Sequence, residues 1–218
     1  NVSRRDVRLM LARQRISVDG VIASDIGQPI NKFSLIKFDN DVLQEQRANY
    51  LMLHKPIGVV SATKDDKHQT VIDLIDLPEK STLHIVGRLD LNTSGLVLLT
   101  NDSRWSERLT LPESKIGKIY QVTLEKPLTK DYIDAFSKGM YFAFEDITTK
   151  PAELEIISEF VARVTLIEGR YHQIKRMFGR FDNKVIKLHR QQIGNLSLDL
   201  CLREGESRVL TQAEVLNI

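Results

Sequence analysis

Two apolar, strand-like runs, Leu83 to Val86 and Leu96 to Leu99, are separated by one polar loop, Gly87-Arg88-Leu89-Asp90-Leu91-Asn92-Thr93-Ser94-Gly95. Short apolar runs bounded by turn formers read as buried strands. Gly87 and Gly95 bracket the loop, and Asn92-Thr93-Ser94 supply turn chemistry. Asp90 lies at the loop's centre between two leucines, so a single carboxylate is carried on a loop with rigid strands on both sides. Such a mount suits a catalytic group. Isolated loop aspartates are nevertheless ordinary, and on pattern alone a solvated turn residue is the stronger reading.

The remaining chain supplies more strands than helices. Tyr50 to Leu53 reads as a strand that turns at His54-Lys55-Pro56-Ile57-Gly58, and Val59-Val60 continues the sheet. Thr70 can cap a short helix over Val71 to Leu77, which Pro78 stops. Further strands are predicted at Lys118–Leu124, Ala152–Ile157, Val161–Ile167, Lys184–His189 and Leu196–Leu200. Helices are predicted at Ser103–Leu109, Thr129–Lys138 with Gly139 as its C-cap, Arg170–Phe181, and from Thr211 onward. With no regular βαβ alternation, the fold class is α+β with a mixed, mainly antiparallel sheet.

The first ~45 residues form a separate unit, near the lower size limit for independent stability. Ser3 caps a helix from Arg4 to Gln14, Asp19-Gly20 turns a hairpin between Ile16-Ser17-Val18 and Val21-Ile22-Ala23, and Phe33 to Phe38 is a strand. Charged residues from Asp39 to Arg47 make the best linker. The domain boundaries are therefore 1–45 and 46–218.

Net charge is only +2 over 218 residues, so bulk charge selects no partner. Local charge says more. Arg4, Arg5, Arg8, Arg13 and Arg15 face only Asp6 and Asp19, and seven Lys/Arg between Glu168 and Arg190 face only Glu168 and Asp182. Each window alone could be a solvated helix face, whereas the two together favour a phosphate backbone, RNA or DNA. No apolar run approaches the ~20 residues that span a bilayer, and no signal peptide is visible, so no membrane partner is expected. The single cysteine, Cys201, excludes an internal disulfide framework and suits a cytoplasmic setting.

The five histidines include no metal-binding pair on a predicted helix, and dinucleotide, P-loop and Gly-x-Ser-x-Gly fingerprints are missing. No cofactor and no metal are expected. The second informative segment is Glu168-Gly169-Arg170-Tyr171-His172-Gln173-Ile174-Lys175-Arg176-Met177-Phe178. On a helix, Ile174, Met177, Phe178 and Phe181 share a core face, leaving His172, Lys175, Arg176 and Arg180 towards solvent or a cleft. A lysine beside Asp90 would keep the carboxylate ionised and orient it.

These segments resemble a known family. Gly87-Arg88-Leu89-Asp90 with Thr93-Ser94-Gly95-Leu96 resembles the central motif of the RsuA/RluA group of pseudouridine synthases. His54-Lys55-Pro56-Ile57-Gly58, the run from Glu168 to Phe178, and Leu188-His189-Arg190 before Ile193-Gly194 look like that group's other motifs, in the right order. Lys175 points to the RsuA branch, since the RluA branch has arginine there. Thr149-Lys150-Pro151-Ala152 agrees with that branch. The N-terminal unit is similar to the RNA-binding module named after ribosomal small-subunit protein S-four, whose usual opening helix would precede Asn1.

The resemblance implies a pseudouridine-synthase fold with a small S-four-like module, and an isomerase acting on ribosomal RNA. The expected target is a uridine of 16S RNA, uridine 516 in the RsuA branch. It implies Asp90 as the catalytic residue, Tyr120 stacking on the flipped uracil, and Lys175 pairing with Asp90. Arg88 would fill the gap left by the flipped nucleotide or grip phosphate, and Leu188 would wall the pocket. Arg170, Arg176, Arg5 and Arg8 would bind the RNA backbone. A monomer working on a small-subunit assembly intermediate is expected. The alternatives are a synthase for 23S RNA, an rRNA-binding assembly factor and, more weakly, a DNA-base glycosylase.

Overall fold

The computed structural model describes residues 2–218, and the chain splits into two units, Asn1–Ala48 and Asn49–Ile218. In the first, helix α1 (Arg4–Ala12) starts at a reciprocal cap: the Ser3 hydroxyl accepts from the Asp6 N–H at 3.2 Å, and the Asp6 carboxylate accepts from the Ser3 N–H at 3.1 Å. Strands β1 (Ile16–Val18) and β2 (Val21–Ile22) form a hairpin whose turn residues, Asp19 and Gly20, have φ of 52° and 83°. Both must be positive to match the strand twist. Strands β3 (Ile36–Phe38) and β4 (Asp41–Gln44) complete a sheet in the order β2-β1-β3-β4. Strand β4 lies inside the stretch expected to be a linker. Asp39 adopts a φ of 51°, so Asp39-Asn40 makes a two-residue turn that lays Asp41 opposite Phe38.

The second unit contains, in chain order, β5 (Tyr50–Lys55), β6 (His84–Val86), β7 (Ser94–Thr100), α2 (Ser103–Thr110), β8 (Lys118–Leu124), α3 (Asp131–Lys138), β9 (Tyr141–Phe142) and β10 (Ile147–Thr148). There follow β11 (Glu153–Ser158), β12 (Val161–Leu166), α4 (Gln173–Gly179), β13 (Val185–Ile193), β14 (Leu196–Ser197), β15 (Ser207–Val209) and α5 (Gln212–Asn217). Among the described residues the main sheet runs β11-β12-β8-β13-β7-β5-β15, with β6 added to β7 and β14 to β13. Only the β13–β7 pairing is parallel, so the sheet is mixed and mainly antiparallel, as the sequence predicts.

Every residue of β7 is buried because both faces of the sheet are covered. Val97 and Leu99 pack with Leu51, Val122, Met177 and Phe178 on one side, while Leu96 and Leu98 pack with Met52, Trp105 and Leu109 on the other. Each such side chain contributes about 1.5–3 kcal/mol of burial. The centre of the sheet is thus packed on both faces, and the loop carrying Asp90 opens directly from it.

Further local expectations fail for physical reasons. Val59-Val60 does not continue the sheet; Val60 instead makes an isolated bridge to Thr70. Residues 71–77 form single turns rather than a helix: Asp73 and Ile75 donate three residues back, to Thr70 and Ile72, at 3.2 and 3.1 Å. The β-branched Val71 and Ile72 favour this, and Thr70 still caps the Asp73 N–H. Helix α4 begins at Gln173 rather than Arg170 because His172 adopts a φ of 49°. Strand β13 runs past His189 to Ile193, held by β8 and β14. Among the described residues no helix is long and apolar enough to cross a membrane.

Candidate active site

The turn from Gly87 to Thr93 joins β6 to β7, and four neighbouring residues hold its backbone. Arg190, itself buried, donates from Nη2 to the Gly87 carbonyl and from Nε to the Leu96 carbonyl, both at 2.7 Å. The Ser61 hydroxyl donates to the Leu89 carbonyl at 2.8 Å and accepts from the Leu89 N–H at 3.0 Å. Lys55 Nζ donates to the carbonyls of Thr93 at 2.7 Å, Pro56 at 2.9 Å and Leu91 at 3.4 Å. The Gly58 N–H also donates to the Leu91 carbonyl, at 2.9 Å. Asp90 therefore projects from a loop whose backbone is fixed on both sides of it.

Gly95 is required where the loop re-enters the sheet. Its φ is +112°, and a Cβ there would lie 2.2 Å from the Arg190 carbonyl oxygen of the parallel strand. The side chain is omitted so that β13 can approach. Lys55 carries a cost of its own. Burial pushes its ammonium down to about 8 from 10.5; Asp90 opposes that shift, while Arg190 and Lys175 add to it by repulsion.

Asp90 is about one-third exposed, and two groups from one turn reach the same carboxylate oxygen. Lys175 Nζ donates to Oδ2 at 2.9 Å, and His172 Nε2 lies 3.4 Å from it. That turn is built around Glu168, a buried carboxylate. Its Oε1 accepts from the Lys150 N–H at 2.8 Å and Gln173 Nε2 at 2.7 Å, while Oε2 accepts from Arg170 Nε at 3.1 Å. Gln173 returns a bond from the Arg170 N–H at 3.1 Å. These bonds hold His172 in its left-handed conformation, and α4 then buries Ile174, Met177 and Phe178 while Lys175 turns towards Asp90.

A slot of about 430 Å³ opens in front of Asp90, a volume in the range of small-molecule and nucleotide sites. Tyr120 and Leu188 supply its apolar walls, both over nine-tenths buried. Tyr120 lies opposite Arg190 in the β8–β13 register, which puts both on the face that lines the slot. Lys118, two residues earlier on β8, also lines it. Burial and the nearby Arg190 lower the affinity of Lys118 for its proton, and its Nζ donates to the Ile116 carbonyl at 3.0 Å. One carboxylate held by a cation, beside an aromatic wall in a partly enclosed slot, can act as a nucleophile or as a base on a flat, neutral ring bound there.

The structure brings together Asp90, Tyr120, Lys175, Arg88, Leu188 and Arg170, all of which line this slot. Arg176 does not line it. Its guanidinium pairs with Glu145, Nη1 to Oε1 at 2.6 Å, and stacks 3.8 Å above the Phe142 ring. Arg5 and Arg8 stand exposed on α1 in the other unit. Sequence reasoning missed the roles of Lys55, Ser61, Lys118, Glu168 and Arg190, and it left His172 facing solvent or a cleft. No local signal marked Lys55 or Arg190, which lie just past the ends of the predicted strands and join strands β5 and β13 only in the structure.

A family model for RNA pseudouridylate synthase matches residues 49–179. The chain is 49% identical to the ribosomal small subunit pseudouridine synthase A of Pseudomonas aeruginosa, over 100% of this chain and 95% of that one. It is 41% identical to the protein of the same name from Escherichia coli, over 100% and 94%. A crystal structure described as a pseudouridylate synthase superposes with a TM-score of 0.76 at 39% identity, covering 99% of this chain and 94% of that one.

Proposed function

The chain belongs to the RNA pseudouridylate synthase family, and on that premise we propose that it converts one uridine of small-subunit (16S) ribosomal RNA to pseudouridine, uridine 516 being the target. The observation that carries this reading is the Asp90 carboxylate, bonded to Lys175 at 2.9 Å and set in a nucleotide-sized slot walled by Tyr120 and Leu188.

The reaction is an isomerisation. The bond from N1 of uracil to C1′ of the sugar breaks, the base turns, and a bond forms from C5 to C1′. The C5 proton leaves and N1 takes up a proton, so the formula is unchanged. Asp90 starts the sequence by attack at C1′ or by removing a sugar proton, and Lys175 balances its negative charge. Tyr120 stacks on the detached uracil and holds it for the second bond, and Leu188 closes the wall so that water does not intercept the sugar. Arg88, exposed at the mouth, takes the place of the flipped nucleotide or holds its phosphate, and Arg170 adds a second cation there.

Residues 1–45 act as an S-four-like RNA-binding module, with Arg5 and Arg8 on phosphates. The protein works as a monomer in the cytoplasm, on an assembly intermediate of the small subunit. Mapping pseudouridine in ribosomal RNA from cells lacking the protein tests the reading. One small-subunit position should lose its modification and regain it on complementation. A gap in 23S RNA instead would move the substrate to the large subunit.

A further inference from the structure

A second cleft, of about 520 Å³, lies against the same loop. Arg88, Asp90, Arg170 and His172 line both cavities, so the catalytic carboxylate and its histidine partner stand between them. The residues found only in the second cleft are Val60, Ser61, Ala62, Leu91 and Tyr171. Tyr171 is unusual among these because its side chain is not needed for the core. It is 75% exposed, yet its ring is not loose: it stacks on the His172 imidazole with centroids 3.9 Å apart and planes 20° from parallel.

We propose that this cleft receives the base next to the target uridine in the RNA strand, stacked on the outer face of Tyr171. The inference rests on the function proposed above and adds a second nucleotide subsite to it. Flipping the uridine into the slot removes the stacking partner of its neighbour, and an aromatic platform replaces what is lost. The neighbour is only one phosphodiester away, so its base must lodge within one nucleotide's reach of Asp90, where the second cleft is. Arg88 and Arg170, which line both cavities, flank the path of the phosphate between the two bases. A base on Tyr171 also clamps the His172 ring from the far side, and His172 is the group 3.4 Å from Asp90. Occupancy of the subsite therefore bears on the geometry of the catalytic carboxylate. Tyr171 is a specificity and positioning residue in this account.

The test uses the full chain and small-subunit RNA bearing 5-tritiated uridine, with the target position known from mapping. Removing a base–aromatic stack corresponds to a loss of roughly ten- to a hundredfold. Tyr171→Ala should lower kcat/KM by that factor with an unchanged melting curve, and Tyr171→Phe should restore it. RNA made abasic at one of the two positions flanking the target should cost the wild-type enzyme a similar factor, and should cost Tyr171→Ala nothing further. Equal rates for wild type and Tyr171→Ala would overturn the proposal. So would losses from the variant and from the abasic RNA that simply multiply. Absence of tritium release by the wild-type protein would instead refute the proposed function, and the subsite would fall with it.

Discussion

Replacing Lys55 with methionine separates what holds the fold together from what holds Asp90 in place. The Lys55 ammonium is fully buried and is displaced from 10.5 to about 8, chiefly by burial. At neutral pH the folded chain carries this charge at a cost of about 3 kcal/mol, taking about 1.4 kcal/mol per pKa unit. Lys55→Met removes that cost but leaves the Thr93 and Pro56 carbonyls without the donors now at 2.7 and 2.9 Å. An orphaned buried acceptor costs about 1–3 kcal/mol, so the two effects largely offset and stability should change by no more than about 3 kcal/mol. Activity should not be spared. The loop would lose its tie at Thr93, and a displacement near 1 Å at a reacting group costs on the order of 100-fold in rate.

Urea unfolding between pH 7 and 10, with single-turnover tritium release at pH 7.5, measures both. Between about pH 8 and 10.5 the unfolded chain holds a Lys55 proton that the folded chain has already released. The Lys55 contribution to stability therefore rises with pH across that window, and the methionine variant lacks the rise. Parallel stability curves for the two proteins, or wild-type turnover by Lys55→Met, would refute the reasoning.

Gly95→Ala places a methyl group 2.2 Å from the Arg190 carbonyl and holds alanine at a φ of +112°, so a loss of about 3 kcal/mol is expected in thermal unfolding; an unchanged Tm would contradict the close approach. Glu214 is held down at about 2, first by its bonds to Arg208, so the stability it contributes is present above about pH 4.5 and lost as pH falls towards 2; Glu214→Gln should flatten the acid-unfolding curve in that window. Arg5→Glu with Arg8→Glu should weaken RNA binding and reduce its dependence on salt while leaving the melting curve in place, and an unchanged salt slope would remove α1 from the RNA interface.

The strand-loop-strand around Asp90 was legible in the sequence because apolar runs and turn residues are local signals. The apolar face of α4 was legible for the same reason, and with it the direction in which Lys175 points. What could not be read locally was the set of groups that fix the loop. Arg190 lies 103 residues from Gly87 and Lys55 lies 38 from Thr93, so their bonds depend on the sheet order β13-β7-β5. The sequence places a lysine just past one predicted strand and an arginine just past another, and neither position announces a buried cation. His172 was placed towards solvent or a cleft and does line the cleft, but its approach to Asp90 was not legible, because its left-handed backbone starts the helix later than the charge pattern suggests. Arg176 was counted among the phosphate-binding cations, and its ion pair with Glu145 was not foreseen. Its partner Glu145 stands in the turn between β9 and β10, a hairpin too short to be read from periodicity.

The central claim is that the Asp90 carboxylate performs the chemistry. Asp90→Asn keeps the side chain's shape and removes its charge, and tritium release from small-subunit RNA carrying 5-tritiated uridine is the direct readout. The account predicts that release is abolished while RNA affinity stays close to that of the wild type. Sustained release by Asp90→Asn at a comparable rate would contradict it.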